Sequence, residues 1–270
     1  MTETELVLFQ REKDLKIATI TLNRPDRLNA LLPEMRVAVR KFLDEAARDD
    51  DIRALIITGA GRGFCSGADV QTVADQSEAA RDEEKRRLYL RPVQTPWILL
   101  QIRDLLKPTI AALNGIAAGA GVGLALVPDI VIASDQARLR VAFTGIGLVP
   151  ADGLTYLLPR LMGMKKALEF MYTNDILDAA AMEKLGLVNQ VVPHADLMKV
   201  TRDLASRIAQ GPPVALGLTK KAVLRGMGPV DIESQMDFEH LMNYSAHQTE
   251  DHREGVKAFQ EKRKPVFKGR

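Results

Sequence analysis

The stretch "IAALNGIAAGAGVGLAL", residues 110 to 126, carries no charge, and with its flanking Pro108 and Pro128 it could be mistaken for a membrane span. Its composition argues otherwise. Asn114 and the glycines at 115, 119, 121 and 123 interrupt it, small residues dominate it, and it lacks the leucine-rich character and aromatic anchors of a spanning helix. It reads instead as a buried strand, a tight turn and a helix. A second stretch, "LIITGAGRGFCSGADV" at 55 to 70, follows the same plan.

Such turns present backbone N–H groups at the start of a helix, where free donors and the helix dipole favour negative charge. A dinucleotide fold is the obvious rival, but neither turn completes G-x-G-x-x-G: counting from Gly119 the last glycine's place holds Leu124, and from Gly61 it holds Ser66. There is no G-x-x-x-x-G-K-[ST], and in "GFCSG" Ser66 falls one residue late for a G-x-S-x-G nucleophile elbow. Two readings remain open. One N–H from each turn could converge on a single oxygen as an oxyanion hole for an enolate, or the small residues could simply allow a close helix and sheet contact.

Outward from these turns, "KIATITLN" (16 to 23), "RALIITG" (53 to 59), "TIAALNG" (109 to 115) and "DIVIAS" (129 to 134) read as strands. Between them, "PEMRVAVRKFLDEAARDD" (33 to 50) reads as a helix opened by Pro33, with Met35, Val39, Phe42, Leu43 and Ala46 as its apolar stripe. Alternation of this kind predicts an α/β core. After Val192 the strand signals stop, and helices broken at "GPP" (211 to 213) and "GMGP" (226 to 229) follow. The division expected is therefore a core over 1–195 and a helical C-terminal region over 196–270. The segment 74 to 91 is charged on most faces and reads as a solvated helix or a lid.

Thirty-seven basic against thirty-five acidic residues leave a net charge of +2, so no global field recruits nucleic acid or an anionic membrane. An anionic ligand must be held locally. The single cysteine, Cys65, fits a reducing compartment, "MTETELVLFQ" has acids where a signal peptide needs bases, and "FKGR" is no targeting tripeptide, so the expected location is cytoplasmic. His240, His247 and His252 lack H-E-x-x-H spacing, and no metal is expected.

The segments "NRPDRLNAL" (23 to 31), "GRGFCSGADV" (61 to 70), "ALNGIAAGAGVGLAL" (112 to 126) and "EDHREGVKAFQEKRKPVFKG" (250 to 269), in this order over nearly the whole chain, resemble the enoyl-CoA hydratase/isomerase (crotonase) superfamily. The resemblance implies a crotonase-like spiral of ββα units, a C-terminal helical region used in trimer assembly, and commonly a hexamer of two trimers. It implies an acyl-CoA substrate, with coenzyme A entering as part of the substrate and no permanently bound cofactor. By position the oxyanion donors are the N–H groups of Ala68 and Ala120. The coenzyme contacts fall on Arg24, Arg27, Leu28, Ser66 and Ala68, while Phe259 and Lys262 match positions that reach the coenzyme of a neighbouring subunit. Cations for phosphates and a ring for the purine suit that chemistry.

The chain departs from the family's hydratase pattern. Two glutamates add water in hydratases, and their places hold Gly123 and Phe143, neither of which can move a proton. Isomerase-like members carry an acid just after the proline of "GLxP"; that place is Ala151, and the next residue is Asp152. Asp152 is either a base, its pKa raised among Leu148, Val149 and Leu154, or the cap of a helix starting near Gly153. Cys65 reads as a small buried thiol, and Tyr89 and Tyr156 as packing residues that could line an acyl pocket. Asp75 and Glu78 could enter the site if their segment folds over it. The activity expected is proton transfer such as double-bond isomerisation on an acyl-CoA; a non-catalytic acyl-CoA binding protein and a thioester hydrolase or dehalogenase are the alternatives.

Overall fold

The computed structural model describes residues 3–69, 71, 72, 74, 78 and 98–270. Val70, Asp75, Tyr89 and nearly all of the charged 74–91 segment lie outside the described residues. In chain order the strands are β1 (Val7–Glu12), β2 (Ile17–Leu22), β3 (Ala54–Gly59), β4 (Gly63–Cys65), β5 (Thr109–Leu113), β6 (Ile116–Ala118), β7 (Ile130–Ser134), β8 (Arg138–Arg140), β9 (Leu177–Asp178) and β10 (Gln190–Val192).

They form two sheets. The larger runs β1-β2-β3-β5-β7-β10 and the smaller β4-β6-β8-β9. β1 pairs antiparallel with β2 and β9 with β8, and every other pairing is parallel. The pairs β3–β4, β5–β6 and β7–β8 each step from the large sheet to the small one across a tight turn; a helix precedes the return to β5 and to β7, and after β8 the chain passes through helices and β9 of the small sheet before reaching β10. Repetition of that step makes the spiral of ββα units that defines the crotonase fold.

The step is sharp because the turns lie against one another. A Cβ on Gly115 would drive into the carbonyl of Arg62, so only glycine fits there. Two buried asparagines tie these turns. The Asn114 Nδ2 donates to the carbonyls of Gly61 (2.9 Å) and Gly63 (3.1 Å), its Oδ1 accepts from the Gly59 N–H (3.3 Å), and Asn29 Nδ2 donates to the carbonyls of Ala60 (2.9 Å) and Gly63 (2.8 Å). Buried carbonyls that no ladder reaches are thereby satisfied.

Period-two alternation divides the core between the faces of the large sheet. Leu55 and Ile57 join the cluster covered by the Pro33–Arg48 helix, while Ala54 and Ile56 face the Leu197–Ala209 helix. The predicted stripe of Met35, Val39, Phe42, Leu43 and Ala46 is buried, and Pro33 opens the helix as expected. The last strand ends at Val192, and the helices Leu197–Ala209, Pro213–Gly226 and Ile232–His247 are separated at the predicted breaks, while a further break at 248–249, not predicted, precedes Glu250–Gln260. The buried carboxylate of Asp251 holds the C-terminal tail by accepting from the N–H groups of Lys268 (2.6 Å) and Gly269 (2.8 Å).

The small sheet is what the sequence reading missed. Its strands span only two or three residues, too short to show a period, so β4 and β6 read as parts of turns.

Candidate active site

β4 and β6 pair in parallel, so the two glycine turns leave the small sheet side by side. A Cβ on Gly67, whose φ is +98°, would lie 2.8 Å from the Ala118 carbonyl oxygen and 3.5 Å from the Ala120 nitrogen. One on Gly121 would drive into the Cys65 carbonyl. Close backbone approach is what these glycines permit.

The approach leaves two amides free. Leu31 forms a parallel bridge with Ala68, its N–H donating to the Gly67 carbonyl (2.7 Å) and its carbonyl accepting from the Asp69 N–H (3.1 Å). A parallel bridge of this kind uses both groups of Leu31 and turns the Ala68 N–H to the opposite side. Ala120 is the first residue of the Ala120–Leu126 helix, where an N–H has no intrahelical acceptor. Neither amide donates to an acceptor among the described residues.

Asp152 approaches the same helix from the 150–153 turn. Its φ is +51°, a left-handed conformation that Asp tolerates better than most residues, and Gly153 follows at +74°. The Leu154–Met162 helix has Gly153 as its N-cap with no side-chain hydrogen bond, so Asp152 does not cap it. Asp152 instead lines a cavity of about 420 Å³ with Leu99, Leu100, Arg103, Val127, Tyr156 and Leu157. Burial there pushes the carboxyl above the usual carboxylate range, and the Arg36 guanidinium partly opposes the shift. Beneath the turn lies Gly123: a Cβ built on it would sit 2.5 Å from the Asp152 carbonyl oxygen and 3.3 Å from the Asp152 Cβ.

The 24–31 segment wraps over the first turn and brings five predicted positions together. The Arg24 Nη1 donates to the Asp69 carboxylate (2.6 Å) and the Ala30 carbonyl (3.3 Å). That hydrogen bond, with one from the Gln71 N–H, holds the Asp69 pKa down. Leu28, at φ +49°, covers Gly63, and the Ser66 Oγ donates to the Arg27 carbonyl at 3.2 Å. Arg27 is exposed. Phe259 and Lys262 stand apart within this chain, on the exposed side of the C-terminal helical region, with Phe259 86% exposed.

Cys65 is the inert thiol expected, fully buried and pushed up to about 12 by that burial. Tyr156 lines the cavity with the Arg160 guanidinium 3.7 Å from its ring centroid. Glu78 is exposed. His247 and His252 contact each other at 3.0 Å, and among the described residues no three His, Cys, Asp or Glu side chains gather as a metal would require. The seat at Gly123 and the Leu99 and Leu100 wall escaped the sequence reading. An apolar triplet, "ILL" (98 to 100), is the trace they leave there.

The two-sheet spiral of ββα units is the fold that the sequence resemblance implies, and its glycine turns carry two amides with no acceptor among the described residues. The known proteins this chain resembles agree. The family profile described as enoyl-CoA hydratase/isomerase matches residues 12–270. The 1,2-epoxyphenylacetyl-CoA isomerase of Escherichia coli K12 is 39% identical over 98% of this chain and 99% of its own length. The short-chain-enoyl-CoA hydratase of Clostridium acetobutylicum is 35% identical over 94% of each. The crystal structure of enoyl-CoA hydratase from Bacillus anthracis superposes with a TM-score of 0.87 at 32% identity, covering 98% of this chain and all of that one. The chain belongs to the enoyl-CoA hydratase/isomerase family, within the crotonase superfamily, whose members act on CoA thioesters. No helix among the described residues is long and apolar enough to cross a membrane.

Proposed function

We propose that this protein isomerises the double bond of an enoyl-CoA, with the amides of Ala68 and Ala120 polarising the thioester and Asp152 carrying the proton. Asp152 takes a proton from C2 of a 3-enoyl-CoA, the electron pair moves into the thioester to give a dienolate, and the same proton returns at C4. The double bond then lies between C2 and C3, and nothing is gained or lost. Two amides aimed at the developing oxyanion lower the barrier to the first transfer. A carboxyl raised by burial is a stronger base once ionised, and the more basic dienolate takes the proton back from it.

One observation carries the reading: among the described residues lining the apolar cavity, Asp152 is the one carboxylate, while the places of the two hydratase glutamates hold glycine and phenylalanine. The relative named as an epoxyphenylacetyl-CoA isomerase supports isomerisation, and an aryl or medium-length acyl group suits a cavity of about 420 Å³ walled by leucines. Arg24, Arg27, Leu28, Ser66 and Ala68 are the coenzyme-binding edge in this reading, and Phe259 and Lys262 complete it from a neighbouring subunit of a trimer or hexamer. Exposed Ile232, Met236, Leu241 and Tyr244 on the Ile232–His247 helix, which buries none of its residues, support such assembly.

The test compares 3-enoyl-CoA isomerisation with crotonyl-CoA hydration in the parent and in Asp152→Asn. Isomerisation that the substitution abolishes, with hydration slow in both, supports the assignment. Rapid hydration undiminished by Asp152→Asn overturns it.

A further inference from the structure

Asp152 is a non-glycine residue held at φ +51°, a left-handed conformation that its tight seat against the neighbouring helix accompanies. Its peptide lies on the bare Cα of Gly123, a position that carries no side chain in the middle of the Ala120–Leu126 helix. A methyl there would meet the Asp152 carbonyl oxygen at 2.5 Å, the Asp152 Cβ at 3.3 Å and the Leu99 Cδ1 at 3.3 Å. Backbone cannot give way as the end of a flexible side chain can, so any side chain at 123 must lift the turn.

We propose that Gly123 is a positioning residue: it seats the 150–153 turn on the helix that begins at Ala120, and so holds the Asp152 carboxylate over the cavity. The proposal rests on Asp152 being the base. It makes two acid placements mutually exclusive, because a glutamate side chain at 123 would have to start in the volume that the Asp152 peptide fills. Replacing Gly123 by glutamate therefore does not add a hydratase acid to this chain; it displaces the acid already present.

Several groups face Asp152: Arg36 from the Pro33–Arg48 helix, the neutral Cys65 thiol from β4, Arg103 from the Ile98–Asp104 helix and Tyr156 from its own helix. None of them is altered by a change at 123. Displacement of the turn returns the carboxylate to water, so the pH at which the base becomes active moves down.

The experiment is Gly123→Ala, measured beside Asp152→Asn for 3-enoyl-CoA turnover, pH profile and affinity for butyryl-CoA. The expected result is a fall in kcat of at least about thirtyfold, KM and butyryl-CoA affinity within about threefold of the parent, and an acidic limb shifted to lower pH. The double variant Gly123→Ala/Leu99→Val relieves the contact of the added methyl with the Leu99 Cδ1, and is read in the same way if the single variant does not fold. A folded variant with the parent's kcat and pH profile, alongside an inactive Asp152→Asn, overturns the positioning role and leaves the base intact. An active Asp152→Asn overturns the base itself.

Discussion

The amides of Ala68 and Ala120 stand on turns held by buried asparagines and by glycines pressed against carbonyls, whereas Asp152 stands on a turn seated at one point and flanked by exposed Ile146, Leu148 and Val149. The first region keeps its chemistry in the backbone. Side-chain replacement cannot remove an N–H short of proline, and an alanine serves as well as a glycine. The second keeps its chemistry in one side chain, which substitution can delete, move or exchange. In the proposed reading, polarisation of the thioester therefore rests on backbone that substitution barely reaches, and the fate of the proton on one replaceable side chain.

The sharpest way to break the contrast is to spoil the first region sterically. Gly121→Ala drives a methyl into the Cys65 carbonyl, and is expected to destabilise the protein by about 3 kcal/mol or more, read as a drop in thermal midpoint or in soluble yield. Next, Asp152→Asn is expected to reduce turnover about 10²- to 10⁴-fold while leaving butyryl-CoA affinity intact, as measured by steady-state kinetics and titration. Ala120→Pro, sterically allowed at a first helical position, removes one oxyanion donor and is expected to reduce kcat about 10²- to 10³-fold.

Smaller effects sharpen the comparison. The carboxyl of Asp152 has a raised pKa in the folded state, so folding favours its protonated form. Its stabilising contribution is complete below the unfolded pKa and is lost as pH rises through the folded one. Asp152→Asn, which tolerates the same left-handed backbone, is therefore expected to raise the thermal midpoint at pH 7 and to lose that advantage in acid. Smallest of all, Arg24→Ala is expected to raise KM about tenfold with kcat little changed, as loss of a charge-assisted contact would.

Most of this was written in the residues at different levels of clarity. The strands β2, β3, β5 and β7 and the Pro33–Arg48 helix follow from their residue patterns, because each spans enough residues to show one, whereas β1 (Val7–Glu12) was not read from the sequence. The amide pair was visible as two strand-turn-helix plans, although spacing alone left a packing explanation standing. The small sheet stayed hidden because Gly63–Cys65 and Ile116–Ala118 are held by neighbours distant in sequence rather than by their own pattern. Asp152 illustrates the same limit. The dipeptide "DG" reads equally well as a helix cap, and only the folded turn, in which Gly153 is the N-cap and receives no side-chain hydrogen bond, removes that reading.

The central claim is that the two amides grip one oxygen, and a crystal structure with a saturated acyl-CoA bound tests it most directly. The thioester oxygen is expected about 2.7–3.1 Å from both the Ala68 and the Ala120 nitrogens. An oxygen that contacts neither amide, or a thioester lodged away from the Ala120–Leu126 helix, would contradict it.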